Sequence, residues 1–316
     1  MLTIYRSNKA EWLAEILGQE LRINPPEITE EINIIVSTWP TSIWLSEKIS
    51  KINNINALVK YPFPGTYLRK LVKRIIGDVP NEKDPWEKNN LVWKILELLP
   101  ELMKLKEADI IRKWKEINGE ENDHVNLNLW YLANDIADIF DDYILYRPET
   151  IKQWLNNKEN KNSRNVSAHK NILWQKILFN LLHEKINKDP FCIQVEKAIK
   201  LLKKGDISKH DYPKNLYIYG LSSLAPLQID LIQAFSKVIN IKIFLISPCN
   251  DLWQRCEARR LQFRNTWNTP PDRQWLLESP RLEAFLGRMG AEFQQLLEGS
   301  GEYQLGDRNE EDIFSL

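Results

Sequence analysis

Residues 216–246 read LYIYGLSSLAPLQIDLIQAFSKVINIKIFLI and contain a strand, a helix and a second strand. The first strand is the apolar run 216–219, and the second is the run 241–246. Between them, apolar residues recur at helical spacing from Leu227 to Phe235. Continuous apolar strands joined by a helix are typical of a parallel sheet that is covered on both faces.

The same alternation occupies the first 75 residues. The sequence predicts strands at 2–5, 32–36 and 57–59, each followed by a helix. Tyr61-Pro62-Phe63-Pro64 ends the third strand, because proline cannot donate a hydrogen bond to a neighbouring strand.

Between about residues 85 and 205 the pattern becomes helical. Helices are predicted at 91–105, 110–117, 127–146, 172–186 and 192–202. Three tryptophans, Trp44, Trp93 and Trp130, lie within apolar periodicity and are predicted to pack in the core. We therefore predict an α/β fold in which residues 1–80 and 206–252 build a parallel-sheet core. Residues 81–205 would form a large all-α insertion, and residues 253–316 an extended or helical exit segment.

Composition excludes several classes of protein. The chain has 316 residues, 43 basic and 43 acidic side chains, 43% hydrophobic residues and 27% charged residues. These values are ordinary for a globular protein and exclude a disordered chain or a histone-like basic one. No apolar run approaches the ~20 residues needed to cross a membrane, and the N-terminus does not resemble a secretory signal. Three cysteines predict reduced thiols in the cytoplasm.

Basic residues change type along the chain. Every lysine lies at or before Lys242, and all later basic residues are arginines. Two interpretations stay open: uneven codon usage in a low-GC genome, or a segment that needs guanidinium groups for bidentate pairing with phosphate or carboxylate.

Common catalytic motifs are absent from the sequence. No G-x-x-x-x-G-K-[ST] phosphate loop follows a strand, no histidine pair has metal-ligand spacing, and no G-x-S-x-G elbow occurs. We therefore expect no ATP hydrolysis by this chain alone and no catalytic residue in it.

An acidic cluster lies in the predicted helix 127–146. Asp135, Asp138, Asp141 and Asp142 share one face at 100° per residue. The apolar residues Leu132, Ile136, Ile139, Phe140 and Tyr143 are predicted on the opposite face. Three interpretations stay open: a solvated face, a Mg²⁺ site, or acceptors for the exposed edges of bases. The following residues, Tyr143 to Pro148, add aromatic rings and Arg147, which are suited to stacking on bases.

Several strings resemble the N-terminal part of the RecC family, the gamma subunits of bacterial exodeoxyribonuclease V (the RecBCD helicase–nuclease). The strings are Ile4-Tyr5-Arg6-Ser7-Asn8, Trp44-Leu45, Tyr61-Pro62-Phe63-Pro64, residues 137–148 (ADIFDDYILYRP), residues 218–226 (IYGLSSLAP) and Pro248-Cys249. The string 137–148 is the most specific of them. Family members are far longer than this chain, so it resembles an N-terminal portion.

The resemblance implies a superfamily-1 helicase-like fold, P-loop-like but degenerate, that has lost its nucleotide-binding motifs. It implies a DNA-binding subunit that splits the duplex and scans a single strand for a Chi-type sequence. RecB- and RecD-like partners would use ATP and Mg²⁺, and this chain would hold no cofactor. The implied DNA-binding residues are Phe63, Arg69, Asp138, Ile139, Asp141, Asp142 and Arg147. Arg69 stands where the family pattern has an aromatic residue, and Ser37-Thr38-Trp39-Pro40 replaces a Gln-Ser-x-Gly pattern.

The sequence thus favours a non-catalytic, DNA-binding subunit in double-strand-break repair by homologous recombination. Two alternatives stay open. In the first, the chain is itself an active ATP-dependent nuclease or helicase. In the second, it is a scaffold that holds partner subunits without touching DNA.

Overall fold

The structure is a computed structural model that describes residues 1–27, 30–79, 83–118, 127–156, 166–204 and 212–247, with isolated positions at 290, 293, 296, 297, 304 and 305. It divides into two compact units. We call Met1–Gly77 with Ile199–Leu316 the sheet unit, and Asp78–Ala198 the helical unit. The predicted α/β class with a parallel sheet is confirmed.

The described residues of the sheet unit contain six parallel strands. They are β1 (Leu2–Ser7), β2 (Ile32–Val36), β3 (Val59–Lys60), β4 (Asn215–Tyr219), β5 (Asn240–Ile246) and β6 (Gln304–Leu305). Their order across the sheet is β3-β2-β4-β5-β1-β6. The helices of this unit include α1 (Ala10–Ile23), α2 (Trp39–Asn53) and α3 (Pro64–Ile76).

One hydrophobic core of the sheet unit lies between the sheet and the helices α1 and α2. Ile34 and Val36 of β2 pair in register with Tyr217 and Tyr219 of β4, and all four side chains are buried in this core. Phe244 of β5 is buried there too, and its ring stacks on Tyr219 at a centroid distance of 6.2 Å. Burial on both faces explains why these strands read as continuous apolar runs.

The edge strand β3 differs from the prediction. A strand was expected at 57–59, but β3 consists of Val59 and Lys60 alone. Leu58 has a left-handed backbone with φ of 56° and is 53% exposed. This conformation is incompatible with a β-strand, so β3 begins at Val59, the residue after Leu58.

Strand β6 was not predicted. It pairs in parallel with Thr3 and Ile4 of β1 and extends the sheet at that edge. Two residues are too few to produce an alternating pattern, so the sequence carries no local signal for this strand. Most of the predicted exit segment, 253–316, lies outside the described residues.

The helical unit contains helices only among its described residues. They are α4 (Lys88–Leu102), α5 (Asp109–Asn118), α6 (Leu127–Tyr146), α7 (Pro148–Leu155), α8 (Val166–Ile186) and the first part of α9 (Phe191–Lys204), with a 3-10 turn at Lys106–Ala108. The helix α10 (Pro226–Ser236) follows in the sheet unit. Helix α7 was missed, although Pro148 at its first position is a common helix start.

An aromatic cluster forms the centre of the helical unit. Phe179 of α8 lies 4.9 Å from the Trp86 ring, 5.3 Å from Phe140 and 5.8 Å from Trp154, measured between centroids. The indole N–H of Trp86 donates to the carbonyl oxygen of Lys188 at 2.8 Å, so its polar atom is satisfied. Trp86, Phe140 and Phe179 are fully buried.

The prediction that Trp93 and Trp130 pack in the core is wrong. Trp93 is 66% exposed and Trp130 is 37% exposed. Leu91, Ile95 and the other buried residues of α4 are centred roughly 160° away from Trp93 at 100° per residue. Trp44 is partly buried and packs against the core of the sheet unit, as expected.

None of the helices in the described part of the chain combines the length and the hydropathy that a membrane crossing requires.

Candidate nucleic-acid interface

Helix α6 carries the predicted acidic face. Asp135, Asp138 and Asp142 are exposed, whereas Ile136 and Phe140 are buried. These five residues are separated into an acidic and an apolar side as the spacing predicts. On its buried side, Phe140 packs edge-on against the buried ring of Phe179.

Ile139 lies on the exposed side and corrects the prediction. It is 41% exposed, although it was assigned to the apolar face. The buried residues of α6 are Ala133, Ile136, Ala137, Phe140 and Ile144. At 100° per residue Ile139 lies roughly 120° from the centre of this buried face. It is therefore an exposed apolar residue beside Asp138 and Asp142, while Asp141 is partly buried.

Asp138 forms an ion pair that the sequence did not reveal. The ammonium Nζ of Lys88, the first residue of α4, donates to Oδ2 of Asp138 at 2.7 Å. The two side chains are 40% and 51% exposed, so the pair lies at the surface. Fifty residues separate the partners, and only the packing of α4 against α6 brings them together.

Arg147 lies at the junction between α6 and α7. Helix α6 ends at Tyr146, and Arg147 has φ of −131° and ψ of 50°. The next residue is Pro148, whose ring disfavours a helical conformation in the residue before it. The chain therefore breaks here, and Arg147 is exposed at the junction.

Aromatic contacts fix the position of Arg147. Its guanidinium carbon lies 5.1 Å from the ring centroid of Tyr143, a cation–π contact. Its backbone N–H donates to the carbonyl oxygen of Tyr143 at 2.9 Å. The ring of Tyr143 packs edge-on against Trp154 at 5.8 Å. The guanidinium is thus held by a chain of rings that reaches the buried aromatic cluster.

Phe63 lies at the carboxyl end of the sheet. It precedes the first residue of α3 and is 45% exposed. The backbone N–H of Val36, the last residue of β2, donates to the carbonyl oxygen of Pro62 at 3.2 Å and holds this segment at the sheet edge. Arg69 lies on α3 and is partly buried. Ligands of open parallel sheets bind outside this edge.

The turn after β1 is the place where a phosphate loop would lie. Here Asn8 and Lys9 join Ser7, the last residue of β1, to α1 without a glycine. The backbone N–H of Lys9 donates to Oγ of Ser7 at 3.0 Å. The Lys9 ammonium lies 4.4 Å from the Trp12 ring centroid.

The predicted site residues therefore fall into two sets. Phe63 and Arg69 belong to the sheet unit, and the residues of α6 together with Arg147 belong to the helical unit. The described residues contain no group of three or more histidine, cysteine, aspartate or glutamate side chains placed to hold a metal ion. The exposed acids of α6 are distributed along the helix and do not converge on one point.

Comparison with known proteins identifies the family to which the chain belongs. A family profile described as RecC, N-terminal domain, matches residues 2–315. The protein named RecBCD enzyme subunit RecC from Haemophilus influenzae is 24% identical over 281 residues, which cover 83% of this chain and 25% of that protein. The protein of the same name from Escherichia coli is 25% identical over 257 residues, covering 80% of this chain and 22% of that protein. In Mycolicibacterium smegmatis the corresponding protein is 24% identical over 263 residues, with coverages of 82% and 22%. The chain spans about a quarter of the length of these relatives.

Proposed function

Because the chain belongs to the RecC N-terminal domain family, we propose that it is the DNA-binding, non-catalytic, helicase-like part of a RecBCD-type helicase–nuclease. In this role it helps to split the duplex and scans a single strand for a Chi-type sequence during double-strand-break repair by homologous recombination. Its partners are RecB- and RecD-like subunits in the cytoplasm. The observation that carries the proposal is the family match over residues 2–315.

The sheet unit supports a helicase-like core that does not use nucleotide. A parallel sheet whose strands alternate with helices is the α/β architecture that a helicase-like core requires. In this chain, the turn between β1 and α1 has no glycine, and the Lys9 ammonium is stacked on Trp12. Such a turn cannot wrap its backbone around phosphates. We assign ATP and Mg²⁺ to the partner subunits, and the helices of residues 81–205 to an insertion in the core.

Each of the two sets of site residues, taken by itself, supports contact with single-stranded DNA. Phe63 offers a half-exposed ring on which a base can stack, and Arg147 offers a positioned guanidinium for a base or a phosphate. Asp138 and Asp142 present carboxylates that accept hydrogen bonds from the amino groups of bases. Ile139 adds an apolar contact beside them. Arg69 in the first set and Asp141 in the second are partly buried.

Photocrosslinking tests this proposal. A benzophenone amino acid is placed at Phe63, at Tyr146, which is 59% exposed beside Arg147, and at Ile23, which is 74% exposed at the end of α1. Ile23 is the matched control, because α1 begins at the carboxyl edge of the sheet and runs back towards the opposite edge. We expect labelled single-stranded DNA to crosslink at positions 63 and 146 and not at 23.

Two results would overturn the proposal. Absence of crosslinks at both positions 63 and 146, with intact binding of RecB- and RecD-like subunits, would favour the scaffold alternative. Release of phosphate from ATP by the purified chain would favour the active-motor alternative.

A further inference from the structure

We propose that Lys88 is a positioning residue for strand recognition, which holds the carboxylate of Asp138 and supplies positive charge to the acidic face of α6. The ligand is single-stranded DNA that presents an amino-bearing base, such as cytosine, to Asp138. This inference rests on the proposed function and adds to it a residue on a different helix.

The atoms of the Lys88–Asp138 ion pair have separate roles. Lys88 Nζ donates to Oδ2 of Asp138 at 2.7 Å, which fixes the position of the carboxylate. A carboxylate has two acceptor oxygens, so Oδ1 remains to accept a hydrogen bond from a base amino group. An ammonium has three donors, so the other two N–H groups of Lys88 can reach phosphate oxygens.

The charge distribution explains why a lysine is needed at this place. Asp135, Asp138 and Asp142 are exposed on the same helix and would repel a phosphodiester strand. Lys88 reaches this face from α4 and lowers the repulsion at the carboxylate that meets the base. Neutralising phosphates with lysine also releases counterions, which makes binding depend on salt.

The pair is poorly suited to a stabilising role. Both side chains are about half exposed, and exposed ion pairs contribute little to the free energy of unfolding. Loss of Lys88 is therefore expected to change DNA binding while leaving the thermal midpoint almost unchanged. A purely structural lysine would show neither a base preference nor a salt effect.

Fluorescence anisotropy of the 316-residue chain with oligo-dC and oligo-dT tests the inference, because thymine lacks the amino group of cytosine. Lys88→Met should reduce the preference for oligo-dC over oligo-dT about fivefold, the ratio that corresponds to one net hydrogen bond. It should also lower the slope of log affinity against log salt by about one. Lys88→Arg should restore the salt slope and most of the preference.

A charge swap and a matched control complete the design. The double variant Lys88→Asp with Asp138→Lys rebuilds an ion pair between α4 and α6, so it should keep the thermal midpoint and lose the oligo-dC preference. Lys185 pairs with Glu97 at 2.5 Å in the same unit, and Lys185→Met should leave the preference unchanged.

The outcomes separate this inference from the proposed function. If Asp138→Asn reduces the oligo-dC preference and Lys88→Met does not, the role of Lys88 is wrong while strand binding stands. If the unaltered chain binds neither oligonucleotide, the proposed function itself fails.

Discussion

Replacing Phe63 by alanine is the most direct test of base stacking at the sheet edge. The side chain is 45% exposed, and a phenylalanine contributes roughly 200 Å² of surface, so about 90 Å² are available to a base. At about 25 cal/mol per Å² this area is worth about 2 kcal/mol, within the ~1–3 kcal/mol of one base–aromatic stack. The dissociation constant for single-stranded DNA should therefore rise about 30-fold.

Anisotropy with labelled oligo-dT measures this change. Phe63→Tyr keeps the ring and should bind like the unaltered chain, and Ile23→Ala controls for loss of an exposed apolar residue elsewhere. Thermal unfolding of each variant establishes that the fold persists. Equal affinities for Phe63→Ala and Phe63→Tyr would refute the stacking role.

Two further predictions concern stability. Phe140→Ala should lower the free energy of unfolding by about 3–5 kcal/mol in urea titrations, because the ring is fully buried against Phe179; a loss below about 1 kcal/mol would contradict this packing. Burial raises the pKa of the Cys192 thiol from 9.0 to about 12 and that of Tyr67 from 10.0 to about 12. Both groups become charged on losing a proton, which burial disfavours. Their contribution to the free energy of unfolding is therefore complete below about pH 9 and is lost as the pH rises towards 12. Urea midpoints should therefore be lower at pH 10.5 than at pH 8, and equal midpoints would count against this burial.

Local patterns in the sequence predict much of the fold. The strands β2 and β5 and the helix α6 appear close to their expected bounds, because burial on two faces or on one stripe leaves a direct trace in apolar spacing. The string 137–148 indicated the family, which the match over residues 2–315 confirms. The assignment of site residues came from that resemblance and stays a prediction.

Other features depend on residues that are distant along the chain. The sequence alone determined a parallel α/β chain with an amphipathic acidic helix, since repeating apolar spacing encodes which side of an element is buried. Only the tertiary structure joined β6 to β1, exposed Trp93 and Ile139, and placed Lys88 against Asp138. These outcomes arise from the packing of one element on another, and no periodicity within either element records which partner it meets.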